Sequence, residues 1–220
     1  MTKTSLSILF LALLAAGCGQ TAAVVNSGKQ PTSTLASAPV AAPTSSPITA
    51  PPAQSQLTDP ISNAVSRVTK KTFGLYVSPG HSPISPERFT GYHTGVDFET
   101  TPDEQNIDVP IYAACDGKLL LKKYASGYGG VAVQSCKLNN SDVTLIYGHL
   151  RESSIHPNVG DNLTAGQQIA VLGTAYSTET DGERKHLHFG IHKGTSINIL
   201  GYVQNQSDLS GWLDPMNYLR

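Results

Sequence analysis

A His-x-His pair, His186-Leu187-His188, constrains this chain more tightly than any other stretch. Residues i and i+2 of a β-strand point to the same face, so a strand here sets two imidazoles side by side. Leu187, Phe189 and Ile191 alternate with His186, His188 and Gly190. That alternation predicts a strand with one packed face and one face turned to a cleft. Two earlier pieces answer to it: His93-Thr94-Gly95-Val96-Asp97 and Tyr147-Gly148-His149-Leu150. Two histidines and one carboxylate make a three-ligand set with a fourth tetrahedral position left for water. This is the pattern of a catalytic rather than a structural zinc, and it points to a zinc hydrolase.

The order H-x-x-x-D, Y-x-H-L, H-L-H-F resembles the lysostaphin/LytM-type zinc metallopeptidases that cut peptidoglycan peptides. The resemblance runs from about Phe73 to Leu219 and takes in Val109 to Gly117 and Gly166 to Gly173. It implies that His93, Asp97 and His188 are the Zn²⁺ ligands. His149 and His186 are then the unligated imidazoles that take a proton from water or stabilise the tetrahedral oxyanion. The sequence leaves open which of the two is the principal base. No H-E-x-x-H is present, so histidine replaces the helix-borne Glu base of another large class of zinc peptidases. Its unperturbed pKa of about 6.5 suits proton transfer near neutral pH.

The chain departs from the family in two ways. Gly190 stands after His188-Phe189, where many relatives carry an acidic residue. The polar insert Ser177 to Lys185 and the tail Gly201 to Gly211 are expected to reshape the groove.

Residues 1–18 read as a targeting segment. Lys3 precedes a mostly apolar run, Ser5 to Gly17, too short to span a bilayer as a mature helix. The run ends in Ala15-Ala16-Gly17-Cys18, which resembles a bacterial lipobox with Cys18 as the acylated residue, although Leu is commoner where Ala15 stands. The other reading is an ordinary cleaved signal peptide. Residues 19–58 are rich in Ala, Pro, Ser and Thr and nearly free of charged and aromatic residues. Such a linker buries too little apolar surface to offset its ordering entropy and is expected to stay disordered and fairly extended, giving reach from a membrane.

The remaining chain, about 160 residues, suits one domain with its own core. A pre-domain segment, 59–72, leads into a metallopeptidase domain over 73–220. Val-, Ile-, Leu- and Tyr-rich runs punctuated by Gly, Asn and Asp predict strands near Ile111–Ala114, Gly117–Lys122, Val131–Cys136, Val143–Tyr147, Gln168–Leu172 and His186–His192. Asn139-Asn140-Ser141 marks a turn, and Ile61 to Lys70 is read as a short helix. The expected fold is mainly β, a single antiparallel sheet domain of the LytM/lysostaphin type.

A net charge of −1 gives no sign of a nucleic-acid partner. The partners implied are peptidoglycan peptides and a membrane reached through Cys18, with a monomer expected and the cell envelope as location. The alternative function is a non-catalytic cell-wall regulator that activates an amidase. Such regulators typically lack a metal ligand, and here the set is complete. With Cys18 assigned to lipid, Cys115 and Cys136 are the only two thiols left to pair. The exported address favours a disulfide over two buried thiols, worth about 3 kcal/mol in the chain-entropy picture. His81, His156 and His192 read as structural or surface residues. His192 lies roughly 13 Å along the strand from His188, too far to share its metal. Tyr147 is either core or a donor into the cleft, and Gly127-Tyr128-Gly129-Gly130 reads as a turn bordering the groove.

Overall fold

The computed structural model describes residues 56–220. The leader, Cys18 and the linker up to residue 55 lie outside the described residues. Twelve strands follow in order: β1 Tyr76–Val77, β2 Gly91–His93, β3 Gly95–Glu99, β4 Pro110–Tyr112, β5 Gly117–Ala125, β6 Gly129–Leu138, β7 Ser141–Leu150, β8 Asn162–Leu163, β9 Gln168–Val171, β10 His186–Lys193, β11 Tyr202–Val203 and β12 Trp212–Leu213. The fold is mainly β, and its strand pairs are antiparallel.

The main sheet runs β12-β10-β7-β6-β5-β8. β3 shares the outer edge of β10 with β12. The first half of β10 pairs with β3 from His186↔Glu99 to Gly190↔Gly95, and the second half meets β12 at Ile191↔Leu213. A small sheet, β1-β2-β11, and a ribbon, β4-β9, flank it. The β6–β7 hairpin turns through Asn139 and Asn140, both at positive φ, 48° and 64°. Two left-handed residues match the twist of the strands they join, and Asn is among the few side chains that tolerate that conformation.

The sheet's two faces differ. Val96, Phe98, Ala132, Leu145, Tyr147, Leu187, Phe189 and Ile191 turn to one side and form the main core with Ile111, Leu119, Ile169 and Leu172. A smaller cluster of Tyr128, Val131, Val133, Ile146 and Trp212 occupies the other side. The pre-domain segment 59–72 joins the main core through Ile61 and Ala64. So does Leu57, which lies in the stretch expected to stay disordered. Its N–H donates to Tyr218 O and that of Thr58 to Ala114 O, so the packed domain starts before residue 59.

All six expected strands form, most of them longer than their apolar runs. Instead of the helix expected over Ile61 to Lys70, the chain makes a single 3-10 turn at Ala64–Arg67. Asn63 enters it in the left-handed region, and the β-branched Val65, Val68 and Thr69 are poor helix formers. Arg67 supplies other bonds, donating to Ser62 O and Glu99 O and to both oxygens of Glu104.

Candidate metal centre

Register brings the site together. On β10, His188 lies opposite Asp97 of β3 on one side and Gly148 of β7 on the other. Directly opposed residues share a face, so Asp97, His186, His188 and Glu99 all stand on the face away from the main core. His93 arrives separately, from the end of β2, two residues before β3 begins.

His93 Nε2 lies 2.9 Å from His188 Nδ1 and 3.1 Å from Asp97 Oδ1, and His188 Nδ1 is 3.3 Å from the same oxygen. Zinc bonded at about 2.0–2.1 Å to tetrahedral N and O donors spaces them about 3.3 Å apart. The triangle therefore fits such an ion. All three residues are buried. His93 Nδ1 lies 3.1 Å from Thr72 O. A proton there is donated to the carbonyl and leaves Nε2 with the lone pair a metal needs. Burial, opposed by the hydrogen bond to Asp97, pushes His188 down to about 4, so its imidazole is neutral and able to ligate near neutral pH.

The two oxygens of Asp97 have different company. Oδ1 faces His93 and His188, whereas Oδ2 accepts from Arg184 Nη2 at 2.8 Å and lies 3.3 Å from His186 Nε2. Burial alone would raise this carboxyl. Its electrostatic interactions with the His186 and His93 imidazoles outweigh that and hold Asp97 well below the ordinary range.

His149 reaches the site through a bulge. Val131 pairs with Gly148 but Gly130 pairs with Leu150, so His149 is the extra residue on β7. Its φ of 62° is uncommon for a residue with a side chain. Gly173 N donates to His149 O at 2.9 Å and pins the kink. The ring so turned lies 4.2 Å from that of His186, centroid to centroid. Burial, then electrostatic interaction with the neighbouring His186 imidazole, push His149 well below the usual histidine value, which keeps it neutral. Its Nδ1 is buried without a partner. His186 Nδ1 meets Arg184 O at 2.9 Å.

Tyr128 packs its ring 5.3 Å from His188 and 5.5 Å from His149. Gly148 makes room for it, because a Cβ there would stand 2.3 Å from the Tyr128 ring. These groups border a cleft of about 390 Å³ whose other walls include Phe89, Ile199, Leu200, Tyr202 and Gln204. The insert supplies Glu183 and Arg184 to it, and the tail supplies Gly201, Tyr202 and Gln204.

The structure thus brings together all five residues singled out in sequence. The Cys115 and Cys136 sulfurs lie 2.12 Å apart, with Cα atoms at 6.1 Å. Tyr147 is core: its hydroxyl donates to Gln134 Oε1 at 2.6 Å and accepts from Ala114 N at 2.9 Å. His81 and His156 are exposed, and His192 packs on Trp212. Sequence reading missed Arg184. It also missed Lys71, whose ammonium lies 2.7 Å from Glu87 Oε2 and 2.8 Å from Tyr202 OH. The one hint available for Arg184 was a charge two residues before the His-x-His pair, just ahead of the strand.

Residues 91–199 match the family described as Peptidase family M23. No curated protein is a significant match. Among solved structures, LytU is 28% identical over 68% of this chain and 81% of its own, with a TM-score of 0.45. Lysostaphin is 26% identical over 74% of this chain and 52% of its own, TM-score 0.43. A zinc-containing peptidase from Vibrio cholerae is 24% identical over 63% of this chain and 37% of its own, TM-score 0.41. The chain thus spans most of LytU, but about half of lysostaphin and less of the Vibrio peptidase.

Proposed function

We propose that this chain is a family M23 zinc endopeptidase that hydrolyses peptide bonds in peptidoglycan stem or cross-bridge peptides. The observation that supports the reading is the convergence of His93 Nε2, Asp97 Oδ1 and His188 Nδ1 beside a cleft, with His149 and His186 alongside, in a segment that matches a peptidase family. The intact ligand set favours a working enzyme over an amidase-activating regulator.

His93, Asp97 and His188 would hold the ion. Zinc supplies Lewis acidity there, polarising a scissile carbonyl and bringing the pKa of water toward about 7. The chain's own residues do the rest. His149, neutral through burial, accepts the proton that the attacking water gives up. His186, its Nδ1 set against Arg184 O, keeps its ring beside the cleft and stabilises the oxygen on which charge develops. Phe89, Tyr202, Ile199 and Leu200 give the peptide apolar walls, which exclude water and strengthen those polar contacts.

The location is the cell envelope. Cys18 takes a lipid, the Ala/Pro/Ser/Thr-rich segment that follows it gives reach from the membrane to the wall, and a Cys115–Cys136 disulfide suits an oxidising compartment. The domain works as a monomer.

The test is metal analysis of the purified full-length chain, followed by mass spectrometry of muropeptides released from walls of different cross-link types. Near-stoichiometric zinc and new peptide termini that vanish on chelation are expected. Zinc uptake without cleavage of any wall type would leave the regulator; no zinc at all would remove both the metal and the peptidase reading.

A further inference from the structure

Arg184 spans two carboxylates on one face of β3. Its Nε and Nη2 engage Glu99, with Nε at 3.0 Å from Oε2, and Nη2 also donates to Asp97 Oδ2 at 2.8 Å. Its main chain acts on the same group of residues, since Arg184 O lies 2.9 Å from His186 Nδ1. Its side chain is 11% exposed, and among the described residues it is the only lysine or arginine that pairs with Asp97. Two results follow. Oδ2 is engaged by a full positive charge, so only Oδ1 is presented to His93 and His188. The guanidinium also sets a fixed positive charge beside the centre, which opposes a second cation.

We infer that Arg184 is a positioning residue that restricts Asp97 to one metal-facing oxygen, keeping the centre at three protein donor atoms. This rests on the metal-site reading above. A ligating carboxylate free on both oxygens can close onto an ion through both, and each extra protein donor takes a place that water or substrate needs. Arg184 prevents that by occupying Oδ2. Because its carbonyl also fixes the His186 ring, one residue sets both the ligand oxygen and the neighbouring imidazole.

The experiment uses the full-length chain loaded with cobalt(II), whose visible d–d bands are intense in four-coordinate sites and weaken as coordination rises. Arg184→Met is expected to keep its metal, to weaken those bands, and to hold zinc no less tightly than wild type because a neighbouring positive charge is gone, with kcat falling about tenfold or more and KM moving less. Arg184→Lys should restore part of the wild-type spectrum. Glu99→Gln, which neutralises the other partner of Arg184 but leaves the bond to Asp97, should keep the wild-type spectrum. An Arg184→Met spectrum identical to wild type, loss of metal from that variant, or an equal spectral change in Glu99→Gln would each overturn the inference. Should Arg184→Met fail to fold, Arg184→Gln is read in its place: weakened bands support the inference and bands as intense as wild type overturn it. A wild-type chain that takes up no cobalt refutes the metal-site reading itself, not merely the role of Arg184.

Discussion

Lys71 Nζ and Glu87 Oε2 lie 2.7 Å apart with both side chains only 1% exposed, joining segment 56–72 to the loop that precedes β2. Ser82 Oγ and the Phe89 amide also donate to Glu87, at 2.7 and 2.9 Å. Burial pushes the Glu87 carboxyl up, but Lys71 and these donors outweigh it and leave it below its ordinary value. Removing one member of a buried pair strands the other charge, at about 3–5 kcal/mol. Glu87→Gln should therefore lower the thermal midpoint by about 10 °C. The double change Lys71→Met/Glu87→Leu should recover most of that loss. A single variant within a degree or two of wild type would show that the pair contributes little.

Glu104 offers a pH-dependent counterpart. Arg67 Nη1 and Nη2 donate to its two oxygens at 2.7 and 2.8 Å, and these bonds bring the carboxyl from 4.5 to about 2. A depressed folded-state pKa means stability that is fully present above about 4.5 and lost as pH falls through the range from 4.5 to about 2. Wild-type protein should lose midpoint across that window more steeply than Glu104→Gln does, while the variant is already weaker at pH 7. Parallel curves from pH 6 to pH 2.5 would count against the Arg67–Glu104 pair as an acid-sensitive contact.

The fold was legible wherever apolar runs were long. Strands β5, β6, β7 and β10 announced themselves through Leu119, Ala132, Leu145, Leu187 and Phe189, whose alternation survives as one core-facing side of the sheet. β2 and β3 did not, because Thr94 and Gly95 break the run and their pairing comes from β11 and β10, far along the chain. The three donor residues of the cluster, His93, Asp97 and His188, were singled out through their motifs and the family resemblance. Arg184 and Lys71 were not, since each is placed by partners distant in sequence, Asp97 and Glu99 for one and Glu87 and Tyr202 for the other. No periodicity encodes such pairings. The bulge at His149 was equally hidden, as the motif Tyr147-Gly148-His149 reads as plain strand until its register with Val131 is known.

The roles of the histidines separate by metal content. His188 Nδ1 is a corner of the donor triangle, whereas His149 stands behind it with its ring on His186. His188→Ala should lose most bound zinc together with activity, because two remaining ligands hold the ion weakly. His149→Ala should keep near-stoichiometric zinc and lose activity by roughly a hundredfold or more, the scale of a proton-transfer or oxyanion group. His186→Ala should follow His149→Ala. Zinc and muropeptide release measured on the same preparations decide the matter. Zinc lost from the His149 variant and kept by the His188 variant would reverse the roles.

Gly190 gives the last prediction. His188 presents Nδ1 to the donor triangle, which leaves Nε2 to carry the ring proton, and that nitrogen is buried without an acceptor. Metal-bound histidines ordinarily donate this proton to a carboxylate or carbonyl, which fixes the ring and raises its basicity. Gly190 is the next residue on the same face of β10. A Cβ added there would stand 3.7 Å from His188 Nε2 and 3.4 Å from Trp212, close but within ordinary contact. The first carbon of a side chain therefore fits there, within reach of the His188 Nε2 proton. Gly190→Asp should tighten zinc binding about tenfold, the lower end of what such outer partners contribute. Gly190→Ala, which adds bulk and no acceptor, should leave affinity within about twofold of wild type. Zinc competition against a chelator on the three proteins measures this directly. Equal affinities for Asp and Ala would mean that the Nε2 proton of His188 does not limit how firmly the ring is held.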